Sequence, residues 1–355
     1  MKRRIKLLGL LIARGMGLFA LARYLTARQL RILCYHGVSI GDEQAYAPDL
    51  FMRFDTLRQR FLHLQRKGYQ VIGLEEASWA LKEDRLPRYP VVITFDDGFF
   101  GNVNAFGRLY REFKWPTTLY VTTYYVEKGT PIFRHAVKYL AWKATRRHIG
   151  ADELLPGAPA VDLDRGADAQ RALEEMIRLA ETQLTASERV ELCRRLGVYL
   201  GADYGELSAS RRLSLASYDE LKLLAAFAVD VQLHTHRHRM PDDLELVRKE
   251  IRDNLQALAH VGSQPLEHFC YPSGFFSPRH ATVLSEMKIR TATTCEPGFN
   301  DCGTPPLALR RFLDVERLSN LEFESEVSGF RELLRRFGNR IISAKPVLQR
   351  AGPAS

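Results

Sequence analysis

The sequence predicts an α/β fold, a sheet or barrel of strands alternating with helices, interrupted by one long helical stretch. Three observations lead there. Short runs rich in Val, Ile and Leu alternate with segments of helical spacing from residue 30 to about 126, and the alternation resumes at Ser217. Between them, from about Glu127 to Ala216, the signals are mainly helical. Composition is that of a globular chain, 46% hydrophobic and 26% charged over 355 residues. Such a chain can build one large domain or two ordinary ones.

The first 29 residues are set apart. Lys2-Arg3-Arg4 precedes an apolar run, but Arg14 interrupts it and Arg23 closes the next. Neither half reaches the ~20 apolar residues of a spanning helix, and no small-x-small cleavage site follows. The leading expectation is an amphipathic helix lying in a membrane interface, with apolar residues in lipid and basic ones among headgroups. That places the chain in the cytoplasm, peripheral on the inner membrane face. An uncleaved anchor with the rest of the chain outside is the second account, and a helix packed on the protein's own core is the third.

The elements then follow in order. Leu30 to Val38 reads as a strand ending at Tyr35-His36. Thr56 to Lys67 has helical spacing and stops at Gly68. Gln70 to Leu74 is a short strand and Glu75 to Lys82 a helix. Val91 to Gly98, Val-Val-Ile-Thr-Phe-Asp-Asp-Gly, reads as a buried strand running into an acidic turn. Asn102 to Phe113 is helical, and Pro116 to Thr123 is a strand. In the helical stretch, Ala169 to Leu184 is amphipathic and Thr185-Ala-Ser-Glu188 is a capping box. Ser217-Tyr-Asp-Glu220 is a second capping box. Val229 to Leu233 is a strand delivering His234, and Leu244 to His260 is a helix. His268 to Tyr271 and Ile289 to Thr294 are strands flanking a helix at Ser277 to Met287. Leu321 to Phe337 is the last helix. The chain thus divides into an amphipathic segment 1–29, a barrel or sheet over 30–126 and 217–337, a helical insertion over 127–216, and a loose tail 338–355. The insertion reads equally as a lid or as a structural excursion.

The formal charge is +9, which suits an anionic membrane surface or substrate; an Arg-rich composition without functional meaning carries equal weight. No basic run is long enough for a nucleic-acid arm, so no nucleic-acid partner is expected. The five cysteines are odd in number and form no Cys-x-x-Cys pair. A disulfide framework and a cysteine zinc site are not expected, and a reducing compartment fits best.

Chemistry gathers at two strand ends. Adjacent Asp96 and Asp97 repel each other, and burying them unpaired costs several kcal/mol or forces protonation. A cation would relieve this. His234-Thr-His-Arg-His238 ends another apolar strand, and two imidazoles plus one carboxylate leave an open position of the kind a hydrolytic zinc needs. Two histidines alone would read as surface residues; beside an Asp-Asp strand end that reading loses weight.

Thr94-Phe-Asp-Asp-Gly98 and His234-Thr-His-Arg-His238 resemble the first two motifs of NodB-type polysaccharide deacetylases, carbohydrate esterase family 4. Leu-Cys-Tyr-His-Gly-Val at 33–38 and Phe-Cys-Tyr-Pro-Ser-Gly at 269–274 look like a membrane-associated branch of that family. The resemblance covers roughly residues 30–126 and 217–320. It implies a deformed (β/α) barrel, a divalent metal, usually zinc, on Asp97, His234 and His238, and Asp96 as general base. By analogy it places a backbone N–H near Tyr271 at the oxyanion. The late Leu-x-His segment that supplies the family's acid is absent. Of the histidines after His238, neither His260 nor His280 is an obvious match; His36, at the end of the first strand, could serve as acid or contact substrate, and a core-facing or merely polar strand-end role carries nearly equal weight. The family's Arg-x-Pro-Tyr is replaced by Cys270-Tyr271-Pro272, leaving Arg310 or Arg311 to orient the base. Tyr124 and Tyr125 read as packing residues before sugar-stacking ones.

The expected function is therefore a metal-dependent hydrolase that removes an N-acetyl group from an acetamido sugar. The substrate would be a polysaccharide, a glycolipid or a lipid- or nucleotide-linked glycan precursor. Deformylation is a close variant, and O-deacetylation a more distant one. The alternative is an inactive barrel that binds glycan or acts as a scaffold. His₂Asp suits zinc but also cobalt, nickel or iron.

Overall fold

The computed structural model describes residues 2–261 and 265–343. Eight strands form one parallel sheet: β1 (Arg31–Tyr35), β2 (Gln70–Val71), β3 (Pro90–Phe95), β4 (Thr117–Val121), β5 (Val229–Leu233), β6 (His268–Cys270), β7 (Thr291–Thr293) and β8 (Phe312–Leu313). The order is β7-β6-β5-β4-β3-β1-β8, with β2 paired to the start of β3. Leu309 bridges Thr293 of β7, and three residues on Phe312 pairs with Leu33 of β1. The stretch from Leu309 to Leu313 therefore links the two ends of the curled sheet, giving the deformed (β/α) barrel. All strands being parallel, their C-terminal ends gather on one face, where such folds build their sites.

The central strands β1, β3 and β4 are buried along their whole length. That is why they read as continuous apolar runs and not as alternating ones. Their core continues into the helical stretch: Val137, Leu140, Leu192, Leu196 and Leu207 belong to the same buried cluster as Leu33, Val91 and Phe95. That stretch holds helices Phe133–Lys143, Ala167–Gln183 and Ala186–Leu200, shorter helices at Tyr124–Lys128 and Tyr204–Ser210, and a small hairpin pairing His148–Ile149 with Val161–Asp162. Its return leg is stitched to the acidic turn: Phe100 N–H donates to Ser214, and Ala216 N–H to Gly98.

Several boundaries differ from the sequence reading. The first strand is split, with Arg31–Tyr35 in the sheet and Gly37–Val38 pairing with Phe51–Met52. Asn102 causes the break by accepting from Val38 N–H at 2.9 Å and donating to the His36 carbonyl at 2.8 Å. The last helix is two, Asn320–Val327 and Phe330–Ser343. They part at Gly329, whose φ of 84° needs glycine and where a Cβ would sit 2.6 Å from Thr26 Oγ1. The second runs beyond Phe337, so the tail read as loose from residue 338 is helical to Ser343; residues 344–355 lie outside the described ones. The capping boxes at Thr185 and Ser217 are formed, and a third stands at Ser319–Glu322.

The N-terminal segment forms two helices, Lys2–Gly15 and Leu18–Leu25, bent by 74°. The bend falls at Gly17, in the left-handed region at φ 76°. Among the described residues no single helix is long and apolar enough to cross a membrane; the bent pair together passes the test of length and composition.

Asp230, at the start of β5, is half-buried with the Gln232 amide at 3.0 Å. Burial pushes its carboxyl up from 3.8 to about 6. Between those values the native state holds a proton that the unfolded chain has released, so stability falls as pH rises through this window. Asp230→Asn should therefore stabilise the protein by about 1–3 kcal/mol near neutral pH and by almost nothing near pH 4. Urea unfolding at the two pH values checks this, and a pH-independent effect would remove Asp230 from that role.

Candidate active site

β3 ends at Phe95, and the chain turns sharply through Asp96, Asp97 and Gly98. Asp97 and Gly98 both lie in the left-handed region, at φ 70° and 93°. Aspartate tolerates that conformation better than most residues, and such strain clusters at functional sites. Both carboxylates are buried, and each has its own cationic partner.

Asp96 is gripped by Arg311, which follows Leu309 in the segment that closes the sheet. Two parallel hydrogen bonds of 2.8 Å join the guanidinium to Oδ1 and Oδ2. Arg311 is fully buried and also donates to the Thr294 carbonyl at 2.9 Å and to Thr94 Oγ1 at 3.2 Å. Burial opposes the charge on Asp96, but Arg311 outweighs it and holds the carboxyl well below the usual range. The thiols of Cys34 and Cys270 lie 3.5 and 3.4 Å from Oδ2. Burial raises the Cys34 thiol far above its ordinary value, so it stays protonated and can donate.

Asp97 faces the histidines. Its Oδ1 lies 3.4 Å from Nε2 of His234 and 3.4 Å from Nε2 of His238. His234 leaves the end of β5, and left-handed residues at Thr235 and His238 fold the chain back to bring the second ring in. The ring centroids are 4.8 Å apart. Nδ1 of His234 meets the Cys270 carbonyl at 2.8 Å. Burial opposes a charge on His234, but Cys270 and Asp97 raise its pKa well above its ordinary value, so Nε2–H faces Asp97, and a cation bound there would take that proton's place. His234 N–H donates to Asn254 Oδ1, and the Asn254 amide reaches back to the Val121 carbonyl, tying the end of β5 to that of β4. Partial desolvation, assisted by His234 and His36, lowers His238 below its ordinary value and favours a neutral ring. His238 is 40% exposed at the side chain while His234 is 2% exposed, so the cluster opens on one side only.

The ligand atoms of Asp97, His234 and His238 lie within 4.8 Å of one another. This donor set, with one open flank, fits a divalent cation. Two further groupings, Cys34/His36/Asp96 and Asp96/His234/Cys270, share Asp96. A cation there would stand against the buried guanidinium, so charge favours the Asp97 set.

His36 stands at the end of β1 with Nε2 4.0 Å from Asp96 Oδ2 and about a fifth of its side chain exposed. The Asn102 clamp fixes its backbone. His135, in the helix Phe133–Lys143, was not singled out from sequence. It packs its ring edge-on to Phe99 with centroids 6.2 Å apart, within electrostatic reach of Asp97, His238 and His36. Burial lowers it to about 4. No motif marks it, because it lies in the helical stretch outside the segments that carry the resemblance.

Other expected residues fall elsewhere. Arg310 is exposed, its N–H bound to Asn300 Oδ1; side chains alternate along this extended stretch, so Arg311 points in and Arg310 out. Tyr271 does not offer an oxyanion donor, because its N–H is spent on the Thr293 carbonyl at 3.1 Å and its hydroxyl on the Leu307 carbonyl. His260 lies just past the helix Leu244–Leu258. His268 bonds Thr291 and Glu75, at the opposite end of β6 from Cys270. Tyr124 bonds Arg189 and packs on Tyr125 and His236.

Residues 207–292 match the family model described as polysaccharide deacetylase. No curated protein sequence matches the chain. Solved structures share the fold. A Streptococcus pyogenes deacetylase, PplD, determined in complex with acetate, aligns at TM-score 0.56 and 16% identity, covering 85% of this chain and 99% of that one. IcaB from Ammonifex degensii aligns at 0.51 and 16%, covering 86% and 97%. A de-N-acetylase from Aggregatibacter actinomycetemcomitans aligns at 0.52 and 11%, covering 84% and 99%. At such identities the structural likeness carries the fold alone. The family match covers residues 207–292, and the structural likeness extends a deacetylase-type fold over most of the chain.

The Asp96–Arg311 pair yields a direct test. Arg311→Met leaves a buried carboxylate unpaired and should cost about 3–5 kcal/mol of stability. Asp96→Asn in the same chain should recover a large part of that loss. A denaturant double-mutant cycle measures the coupling, and additive effects would show the pair to be independent.

Proposed function

We propose that this chain is a metal-dependent hydrolase that removes the N-acetyl group from an acetamido sugar of a glycan. The observation that carries the proposal is the placement of two adjacent aspartates in different roles, Asp97 facing two imidazoles and Asp96 locked to Arg311 beside them. The family match supports it. The glycan is a polysaccharide, a glycolipid or a lipid- or nucleotide-linked precursor.

Asp97, His234 and His238 would hold the metal, by ligand type zinc in first place. A divalent cation there would supply Lewis acidity and lower the pKa of water to ~7. Asp96 is the general base. Arg311 takes one lone-pair direction on each carboxylate oxygen, and a carboxylate has about four, so Asp96 keeps acceptor capacity for a proton. The pairing weakens Asp96 as a base but fixes its position, so its contribution rests on geometry. As water attacks the acyl carbon, Asp96 takes its proton. The C–N bond then breaks, and the leaving sugar amine needs a proton. His36 stands on the Asp96 side of the site and supplies it. His135 suits this role less, because a ring lowered to about 4 carries no spare proton near neutral pH. The absent Leu-x-His segment motivates the alternative of an inactive glycan-binding barrel; a histidine beside Asp96 weakens that motive.

Asp96→Asn should retain metal and lose turnover by about a hundredfold or more, whereas His238→Ala should lower metal content. Acetate release from N-acetylhexosamine oligosaccharides and elemental analysis read the two properties separately. A zinc-loaded protein that binds glycan and releases no acetate would establish the inactive barrel. His36→Asn should slow cleavage of the sugar amide about a hundredfold yet spare an anilide with a better leaving group. Equal losses on both substrates would take the acid role from His36.

A further inference from the structure

We infer that the N-terminal helix pair forms, with the neighbouring C-terminal helix, a docking face for an anionic lipid bilayer, lying in the interface and not crossing it. This concerns a surface separate from the catalytic cluster and stands whether or not the deacetylase reading holds.

The helix pair has two faces of different fate. One is spent on the protein itself: Leu10, Ala13 and Phe19 form a buried cluster with Leu18, Leu321 and Phe330, and the rings of Phe19 and Phe330 lie 5.1 Å apart. Ion pairs from Lys6 to Glu322 and from Arg14 to Glu324, 2.9 and 3.0 Å long, reinforce that seat. The other face is bare. Ile5, Leu8, Leu11, Ile12, Met16 and Leu21 are each more than half exposed. Eight of the eighteen large apolar side chains exposed among the described residues fall between Ile5 and Leu25. Leu334 and Phe337, on the helix Phe330–Ser343, add two more. Scattered exposed apolar residues need no explanation, but a concentration of this kind marks an interaction surface.

Charge selects the occupant. The sequence has no Asp or Glu before Asp42, while Lys2, Arg3, Arg4, Lys6, Arg14, Arg23 and Arg28 all lie in that stretch. Arg3, Arg4, Arg14 and Arg28 are exposed. Apolar side chains flanked by cations suit a bilayer, whose acyl chains and anionic headgroups accept both. A second copy of this chain would bring cation against cation.

Geometry selects the depth. A span would require the two helices to straighten from a 74° bend and to withdraw Leu10, Ala13 and Phe19 from the protein. Lying flat keeps that seat and buries only the bare face. The pair also joins the barrel at the starting end of β1, where Arg31 donates to the Thr26 and Gln29 carbonyls. The carboxylates leave from the far end of β3, parallel to β1. The junction with the docking face and the catalytic cluster therefore sit at opposite ends of the strands.

The experiment uses the full chain and vesicles of phosphatidylcholine alone or mixed with phosphatidylglycerol. The chain is expected to float with the mixed vesicles, less so at high salt, and weakly with phosphatidylcholine alone. Leu8→Glu with Ile12→Glu should reduce vesicle binding about tenfold or more, with the thermal midpoint and acetate release in solution unchanged. Arg4→Glu should weaken binding at low salt only. Proteolysis of the bound protein should leave the amino terminus on the side to which protein was added. The proposal is overturned if the chain fails to float, or if the double variant floats as well as the parent. It is also overturned if protease finds the amino terminus across the bilayer, or if light scattering shows a dimer that the double variant dissolves without any vesicle binding.

Discussion

Two neighbouring carboxylates buried at one strand end set the problem that the rest of this structure solves. Left alone, they would repel and one would take up a proton. The chain gives each a different positive partner. Asp96 receives a permanent cation, Arg311, in a fixed two-pronged geometry with no exposure to solvent. Asp97 receives the two imidazoles at 3.4 Å, groups that can be charged, neutral or ligated. The left-handed backbone at Asp97 makes this division practical, because it turns consecutive side chains toward different neighbours.

Barrel closure and chemistry depend on each other here. Arg311 sits in the stretch that links β7 to β1, two residues after Leu309 pairs with Thr293 and one before Phe312 pairs with Leu33. The same guanidinium donates to the Thr294 carbonyl after β7 and to Thr94 in β3. A residue that neutralises Asp96 thus also bonds both sides of the closure. The helical stretch between β4 and β5 contributes from another direction. Its return leg bonds to Gly98 and Phe100, and its helix Phe133–Lys143 brings His135 toward the cluster. Its apolar side chains are continuous with the barrel core, so the acidic turn is held from both sides.

Much of this was legible in the chain. Buried parallel strands announce themselves as apolar runs, and the acidic and histidine motifs stand at their ends because that is where such strands release their residues into one face. The capping boxes at Thr185 and Ser217 were readable since the groups that bond are three residues apart. Less legible were features made by distant contacts. Nothing local distinguishes Arg310 from Arg311 except which side of an extended segment each occupies, and that phase depends on pairing with β1 and β7. The split of the first strand depends on Asn102, sixty-six residues from His36. Tyr271 looked available for an oxyanion until its N–H was found on Thr293.

The sequence by itself determined the alternation of strand and helix, the two motifs and their order, and the amphipathic character of the first helices, because each is written in short-range spacing. Only the tertiary structure decided which arginine meets Asp96, that His36 stands beside it while Tyr271 is already committed, and that His135 lies near the cluster. It also decided that one face of the N-terminal helices is buried on the protein while the other is bare. The reason is the same in every case: partners separated by tens to hundreds of residues are chosen by how the sheet closes and the helices pack, and no local pattern encodes that choice.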